Sequence, residues 1–282
     1  MRNPQDEVQV YQGITGLLAR NEDRELALNL MGRLTQSHAR SAQAHLAYSR
    51  LALHAENAEL ALQEVDAALA LQPDLIEARV LRAGVHYKLG DVARAKRELQ
   101  EAVAAHPKNI DLRMALARLL LDEQDLAGAT AQFKRIVKQE PGHPDALYSL
   151  GLLAMEQRQP QQAEAYFRAL IETGKRDHDA YYYLARIQEQ RGELEEARSG
   201  YERVGEGDYW LDAQVRAASL TAKLGDMDDA RRQLQDLRVR DPSLAVRLYL
   251  VEGDMLSQAG ELRQALELYN RVLAEAPDNH DV

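Results

Sequence analysis

Small and apolar residues recur along the chain in a fixed order, and this order predicts pairs of short helices. Residues 76–109 show the order once: the small Ala83 precedes a break at Gly90, Ala95 follows the break, and Pro107 closes the unit. Small or apolar residues continue at helical spacing after Ala95, as expected for one buried helix face. Glycine commonly ends a helix, and proline cannot continue one. The pattern therefore predicts two short helices folded back on each other.

This unit recurs along almost the whole chain at a nearly constant period. The alanine after the break recurs at Ala27, Ala61, Ala95, Ala129, Ala163, Ala197, Ala230 and Ala265. Its steps measure 34 residues five times, then 33 and 35. A second small residue lies twelve positions earlier, at Thr15, Ser49, Ala83, Ala117, Gly151, Ala185, Ala218 and Gly253. The closing prolines are Pro73, Pro107, Pro141, Pro242 and Pro277. Self-similarity at this period predicts an array in which each repeat packs on its neighbours.

The pattern resembles the tetratricopeptide repeat (TPR) family, whose repeat runs roughly W-x2-L-G-x2-Y, then A-x3-F, then A-x4-P. The fifth repeat carries the match most fully, through Leu147, Leu150, Gly151, Ala163 and Phe167. The resemblance covers residues 8–279. It implies an all-α fold, a right-handed TPR superhelix (α-solenoid) of eight helix-turn-helix repeats.

We expect residues 1–282 to form a single TPR array. The predicted repeats are 8–41, 42–75, 76–109, 110–143, 144–177, 178–210, 211–245 and 246–279. Because the repeats begin and end so close to the ends of the sequence, we expect the chain to be a segment of a longer protein. Arg79 and Arg82 stand where the family usually has Trp and Leu. This departure predicts a looser joint in the third repeat.

Composition and charge argue against several kinds of partner and site. The formal net charge is −10, from 35 Lys and Arg against 45 Asp and Glu. Nucleic-acid binding needs an excess of basic residues on one face, so we expect no nucleic-acid partner. The chain has no cysteine, which excludes disulfides and zinc–cysteine sites. It has no run of 18 apolar residues, so we expect no membrane span in this segment.

The sequence predicts neither catalysis nor a cofactor. Its eight histidines lack the spacing of metal ligands such as H-E-x-x-H, so we expect no metal site. The stretch Thr173-Gly174-Lys175 resembles the end of a phosphate loop, but Arg176 follows where Ser or Thr is required. An open array also offers carboxylates no closed pocket that would shift their pKa values. We therefore predict that the chain is not an enzyme and has no catalytic residues.

The TPR resemblance places a protein-binding groove on the concave face, lined by the first helix of each repeat. It implies that positions 2, 5, 9, 12 and 13 of each repeat face this groove. The predicted groove residues are Leu46, Arg50, Leu53, Val80, Tyr87, Met114, Arg118, Leu121, Tyr148, Met155, Tyr182 and Arg186. An apolar strip of this length suggests a bound partner. The alternative is that some of these side chains serve the stacking of repeats.

The arginines of this set leave two interpretations open. Arg50, Arg118 and Arg186 fall at position 9 of every second repeat, whereas position 2 is acidic in the middle repeats. The guanidinium groups could bind carboxylates of a partner protein. They could equally pair with acidic residues of the same groove.

We therefore predict a non-catalytic protein-binding scaffold or adaptor. The Ala- and Arg-rich, Lys-poor style resembles envelope TPR proteins of Gram-negative bacteria. Among these it is most similar to outer-membrane TPR lipoproteins that are adaptors of a periplasmic carboxyl-terminal processing protease. This resemblance implies a periplasmic location, an outer-membrane anchor outside this segment, and the protease and cell-wall hydrolases as partners. The alternatives are a TPR component of an exopolysaccharide secretion machine and a cytoplasmic assembly factor.

Overall fold

The computed structural model describes residues 24–275. These residues form helices joined by turns, and no strand occurs among them. The chain divides into two compact units, with the division between Gln139 and Glu140. Within each unit, consecutive helices pack as antiparallel pairs, as the all-α prediction requires. The first helix of repeat one, including Thr15, and the closing Pro277 lie outside the described residues.

The first unit contains one second helix and three complete helix pairs. Its helices are α1 (Arg24–Ser37), α2 (Ala42–His54), α3 (Ala58–Leu71), α4 (Ile76–Lys88), α5 (Val92–Ala105), α6 (Ile110–Asp122) and α7 (Leu126–Gln139). Helices α2, α4 and α6 begin at the first residues of the predicted repeats two, three and four.

The second unit contains four helix pairs. Its α-helices are α8 (Pro144–Glu156), α9 (Pro160–Glu172), α10 (Asp177–Arg191), α11 (Leu194–Glu202), α12 (Trp210–Lys223), α13 (Met227–Arg240), α14 (Ala245–Gln258) and α15 (Leu262–Glu275). A short 3₁₀ helix, Pro242–Leu244, precedes α14. Helices α10, α12 and α14 each begin one residue before the predicted repeat boundary. Whether both units form one continuous array stays a prediction.

The break between the two helices of a repeat needs a residue with positive φ. Glycine meets this need in the third repeat, where Gly90 has φ 82° and lacks the Cβ that disfavours this conformation. Three other repeats use Glu56, Gln124 and Arg158, with φ between 56° and 63°. The positive φ is thus a property of the repeat geometry, which the rest of each helix pair imposes even without glycine.

The two ladders of small residues form the contact between the paired helices. All eight alanines of the first ladder are at most 3% exposed, and the described small residues of the second ladder are buried. The hydroxyl group of Ser49 donates a hydrogen bond to the carbonyl oxygen of Ala61, which joins the two ladders directly at 2.7 Å. A Cβ added to Gly151 would lie 2.6 Å from the ring of the buried Phe167. The repeat period therefore records where two helix backbones approach closely.

Polar side chains connect the paired helices of repeats two, three and four. His45 Nδ1 lies 2.7 Å from Glu64 Oε2, Arg82 donates to Glu98 at 3.2 Å, and Arg113 donates to Gln132 at 3.0 Å. Arg82 also reaches Asp66 of the preceding repeat. The arginine that replaces an apolar residue in repeat three thus contributes ion pairs to the joint that the sequence predicts to be looser.

A buried arginine marks the junction between repeats three and four. Arg113 is 6% exposed and donates to the carbonyl oxygen of Pro107 at 2.7 Å. Burial lowers the pKa of Arg113, and the neighbouring Arg135 lowers it further. Arg79 makes the same contact one repeat earlier, with the carbonyl oxygen of Pro73 at 2.9 Å. Both arginines therefore hold the closing turn against the helix that follows it.

We predict opposite effects of the same glycine-to-alanine change at two helical sites. Gly151→Ala should destabilise the protein by about 1–3 kcal/mol, because the added methyl group overlaps the ring of Phe167. Gly84→Ala should stabilise it by about 0.5–1 kcal/mol, because no atom lies within 4 Å of the added Cβ. Urea denaturation followed by circular dichroism measures both. A neutral Gly151→Ala variant would contradict the close approach of α8 and α9.

Candidate functional site

The predicted groove residues are distributed over both units. The first unit holds Leu46, Arg50, Leu53, Val80, Tyr87, Met114, Arg118 and Leu121, and the second holds Tyr148, Met155, Tyr182 and Arg186. Their exposure differs by position in the repeat. Position 12 remains open: Tyr87 is 36% exposed, and Leu53, Leu121 and Met155 are partly exposed. Position 5 is largely covered.

Three predicted anchors at position 5 are core residues. Leu46 is 1% exposed, and Met114 and Tyr182 are each 6% exposed. The structure places these three in the packing between helices, as the alternative of repeat stacking expects, and whether they also contact a partner stays a prediction. Val80 and Tyr148 are partly exposed. Whether the remaining residues bind a partner stays a prediction.

The covering side chain comes from the residue just before the next first helix. The guanidinium of Arg176 lies 3.8 Å from the centroid of the Tyr148 ring. The ring of Tyr209 stacks on Tyr182, with centroids 4.5 Å apart and planes at 14°. In repeat two, Leu75 belongs to the same buried cluster as Leu46. Residues 75, 176 and 209 occupy equivalent places, so the turn residue packs on position 5 in repeats two, five and six.

Tyr209 joins the tyrosines of two helices, α8 and α10, into one aromatic cluster. Its hydroxyl group lies 3.1 Å from that of Tyr148 and 2.9 Å from that of Tyr183. Tyr183 stacks in turn on Phe167, with centroids 5.2 Å apart. Burial raises the pKa of Tyr183 to about 12, and its hydrogen bond with Tyr209 adds to the rise. The Tyr183 phenol therefore remains neutral near neutral pH, and the packed rings form an aromatic wall.

A network of charged and phenolic groups extends this wall toward α12. Asp212 accepts hydrogen bonds from Tyr182 at 2.6 Å and from Arg216 at 2.7 Å. Glu189 accepts from Tyr201 at 2.7 Å and from Arg216 at 3.2 Å. Although burial opposes ionisation, these hydrogen bonds hold the pKa of Asp212 below its ordinary value. The network fixes the two carboxylates in place, so their side chains need no reordering when a ligand binds.

The three position-9 arginines differ in their partners. Arg50 pairs with Glu77 of the next repeat at 2.9 Å, as the interpretation of pairing within the groove requires. Arg118 and Arg186 have no carboxylate partner among residues 24–275. Arg186 instead lies 5.8 Å from the ring centroids of both Tyr182 and Tyr183. Its guanidinium group is therefore available to donate hydrogen bonds to a carboxylate of another molecule.

Two clefts open on the first-helix side of the second unit. The first, called here the arginine cleft, has a volume of about 620 Å³ and is lined by Leu152, Met155, Tyr183, Arg186 and Gln190 among others. The second, the acidic cleft, has a volume of about 590 Å³ and is lined by Glu189, Asp212, Arg216, Val251, Asp254 and Met255 among others. Both volumes lie in the range of ligand-binding pockets. Helix α10 contributes to both clefts, which places them side by side.

Other kinds of site are not found in the part of the chain that the structure describes. No group of three or more His, Asp or Glu residues there is arranged to hold a metal ion. No helix there is both long enough and apolar enough to cross a bilayer. The prediction that the chain binds no metal remains to be tested by metal analysis.

Comparison with known families identifies the repeat. Two tetratricopeptide repeat profiles match the chain, one at residues 17–76, 148–210 and 215–280 and the other at 52–119 and 86–153. The chain belongs to the tetratricopeptide repeat family. A curated relative, TPR repeat-containing protein PA4667 of Pseudomonas aeruginosa, is 30% identical over 93 residues. That match spans 33% of this chain and 16% of the relative.

Solved TPR structures share the fold at low sequence identity. The structure of pilF from Pseudomonas aeruginosa aligns with a TM-score of 0.57 and 18% identity, over 77% of this chain and 97% of its own. A TPR repeat-containing protein from Cytophaga hutchinsonii aligns at 0.56 and 14%, over 95% and 96%. YrrB, described as a TPR protein with an unusual peptide-binding site, aligns at 0.52 and 18%, over 64% and 93%. TPR proteins bind other proteins and are generally non-catalytic scaffolds.

Two features of the site were not predicted from the sequence. Arg176 and Tyr209 cover the aromatic anchors, yet neither belongs to the predicted groove set. Their position in the repeat was a sequence signal, because both stand where Leu75 stands in repeat two, directly before the next first helix. The pairing of Arg216 with Glu189 had no sequence signal of its own, whereas Asp212 and Arg216 lie four residues apart on one helix, a spacing that favours an ion pair.

We predict that Tyr182 is a stability residue. Tyr182→Ala should lower the free energy of unfolding by about 3 kcal/mol, because it removes a buried ring from the aromatic cluster. The matched change Tyr87→Ala removes a ring that is 36% exposed and should cost about 1 kcal/mol or less. Thermal and urea denaturation measure the two costs. Equal costs would contradict the burial of Tyr182 beneath Tyr209.

We also predict that ionisation of Asp212 makes the free energy of unfolding depend on pH. Its pKa is lower in the folded state, so its contribution is present near neutral pH and is lost as the pH falls below about 4. Since its side chain is 38% exposed, screening limits this contribution to about 1 kcal/mol. Asp212→Asn should therefore be less stable than the parent at pH 7 but lose less stability between pH 7 and pH 3. An unchanged pH dependence of urea unfolding would refute this role.

Proposed function

We propose that the first-helix side of the second unit binds an extended segment of a partner protein. Two adjacent clefts there share α10, and each has room for side chains of a peptide. The arginine cleft has the apolar Leu152 and Met155 beside a cation, and Met adapts its shape to different ligands. The rigid phenols below Arg186 hold this cleft open without a ligand, which lowers the entropic cost of binding.

The observation that carries the proposal is the lack of a carboxylate partner for Arg186. The comparable Arg50, Arg176 and Arg216 all form ion pairs with carboxylates. Arg186 has none among the described residues and rests over two tyrosine rings at the cleft wall. A guanidinium in this position binds a carboxylate through charge-assisted hydrogen bonds. We infer that the bound segment presents Asp, Glu or a terminal carboxylate to Arg186.

The acidic cleft favours a different part of the same segment. It contains the fixed carboxylates of Glu189 and Asp212, together with Asp254, against Arg216 and Lys223. Its apolar residues include Val251 and Met255. We infer that a basic or hydroxyl-bearing side chain binds here, beside an apolar one. A segment with acidic and basic residues a few positions apart would match both clefts.

The resemblance to adaptors of a periplasmic carboxyl-terminal processing protease makes such a protease, with cell-wall hydrolases, the first partner to test. This version of the proposal places the protein in the periplasm, anchored at the outer membrane through a part outside this segment. A component of an exopolysaccharide secretion machine is the alternative. A pull-down from a bacterial envelope extract separates them, since it recovers either a protease or a polysaccharide synthase or export porin.

The partner recovered in this way tests the role of Arg186. Arg186→Gln should weaken its affinity by about tenfold or more, because a hydrogen bond to a charged group is lost. Arg232→Gln is the matched control, since Arg232 is exposed, pairs with Asp229 and lines neither cleft. Calorimetric titration measures both variants. Equal affinity of the parent and Arg186→Gln would refute the proposed recognition of a carboxylate.

A further inference from the structure

A third cleft opens on the opposite side of α10, among the second helices of repeats five and six. This outer cleft has a volume of about 610 Å³. Its floor is formed by Ile171 of α9 and by Tyr181 and Leu184 of α10, and Gly200 of α11 lies at its wall. Residues 181, 184 and 188 share one face of α10, whereas residues 183, 186 and 190 of the arginine cleft share the opposite face.

The outer cleft lies beside a position at which repeat six lacks a connecting side chain. Positions 64, 98, 132 and 200 are equivalent in their repeats. The side chains of Glu64, Glu98 and Gln132 each reach the first helix of their own repeat, at 2.7 to 3.2 Å. Gly200 has no side chain to make such a contact. In the first helix of repeat six, Tyr181 stands at the position of His45 and Arg113, and Leu184 stands at the position of Arg82. The outer cleft, at about 610 Å³, is larger than the equivalent cleft of about 220 Å³ beside Leu268 in repeat eight, as expected where no side chain stands at this position.

Local packing explains why glycine occupies this position. A Cβ at position 200 would lie 2.9 Å from the Cβ of Ala185, so α10 and α11 approach too closely for a larger residue. Helix α11 also ends after nine residues, at Glu202. Arg203 follows the helix and places its guanidinium 4.2 Å from the centroid of the Tyr181 ring. The cleft is thus a fixed consequence of the helix pairing in this repeat.

The rim of the outer cleft is acidic. Glu172, Glu195 and Glu196 line it, all are exposed, and none forms an ion pair within residues 24–275. The two arginines at the rim are already engaged, because Arg168 is bound to Glu164 at 2.8 Å and Arg203 lies on Tyr181. An apolar floor beneath three available carboxylates is complementary to a ligand that is apolar on one side and basic on the other.

We propose that the outer cleft is a second interaction surface, which binds a basic amphipathic segment of a partner protein. An aliphatic or aromatic side chain of this segment enters the space beside Gly200 and packs on Tyr181 and Leu184. Its lysine or arginine residues bind Glu172, Glu195 and Glu196. The surface is separate from the two clefts of the first-helix side, so one chain can hold two protein segments at once.

The test uses a fluorescein-labelled, amidated peptide of leucine and lysine with all leucines on one helical face. Fluorescence anisotropy measures its affinity for the purified chain. The triple variant Glu172→Gln, Glu195→Gln, Glu196→Gln should bind it about tenfold more weakly, because three exposed ion pairs of modest strength are lost. The matched control changes three exposed, unpaired carboxylates of the same unit, Glu140→Gln, Asp228→Asn and Asp236→Asn, and should bind within about twofold of the parent.

Two further arms separate the cleft from general attraction to an acidic protein. Leu184→Lys should abolish binding, because it places a cation in the cleft, and the melting temperature shows whether the variant is folded. A peptide of the same composition with scrambled order should bind at least tenfold more weakly than the amphipathic one. Equal losses in both triple variants, equal binding of the scrambled peptide, or failure of the amphipathic peptide to bind the parent would overturn the proposal.

Discussion

The close approach of two helix backbones within each repeat is the constraint on which the rest of the structure depends. It requires a small residue on both helices, which is why the alanine ladder and its partner ladder are buried throughout the described residues. Helices in such contact leave little freedom to the turn that follows them. In repeats five and six the residue before the next first helix, Arg176 or Tyr209, is therefore placed over position 5. The candidate binding surface is the part of the first-helix side that these turn residues leave exposed.

The fold could be predicted because its cause is local and repeated. Each backbone contact leaves a small residue in the sequence, and the seven contacts among the described residues belong to helix pairs whose first helices begin within one residue of the predicted repeat boundaries. The candidate site could be predicted only in part. Helical periodicity assigns position 12 and the arginines at position 9 to the first-helix face, and their binding of a partner stays a prediction. Periodicity does not specify the covering of Tyr182, because it depends on Tyr209, a turn residue far along the chain.

Departures from the repeat, more than the repeat itself, give this chain its particular surfaces. Tyr209 replaces an ordinary turn residue and fixes the aromatic wall behind Arg186. Gly200 stands in place of a connecting side chain beside the outer cleft. Both lie in repeat six, which is one residue shorter than most others. A period search averages over such positions, whereas a comparison of equivalent residues across the repeats reveals them. This explains why one family fold serves many partners.

Methionine methyl resonances test the central claim most directly, because the five methionines of the described residues lie either beside the clefts of the second unit or in the core of the first unit. Met155 lines the arginine cleft, and Met227 and Met255 line the acidic cleft. Met31 and Met114 are buried in the first unit, at 0% and 6% exposure. When the captured partner is titrated into the chain labelled with ¹³C-methyl methionine, Met155, Met227 and Met255 should shift and Met31 and Met114 should not. Saturable binding that leaves all three cleft methionines unchanged would contradict the account.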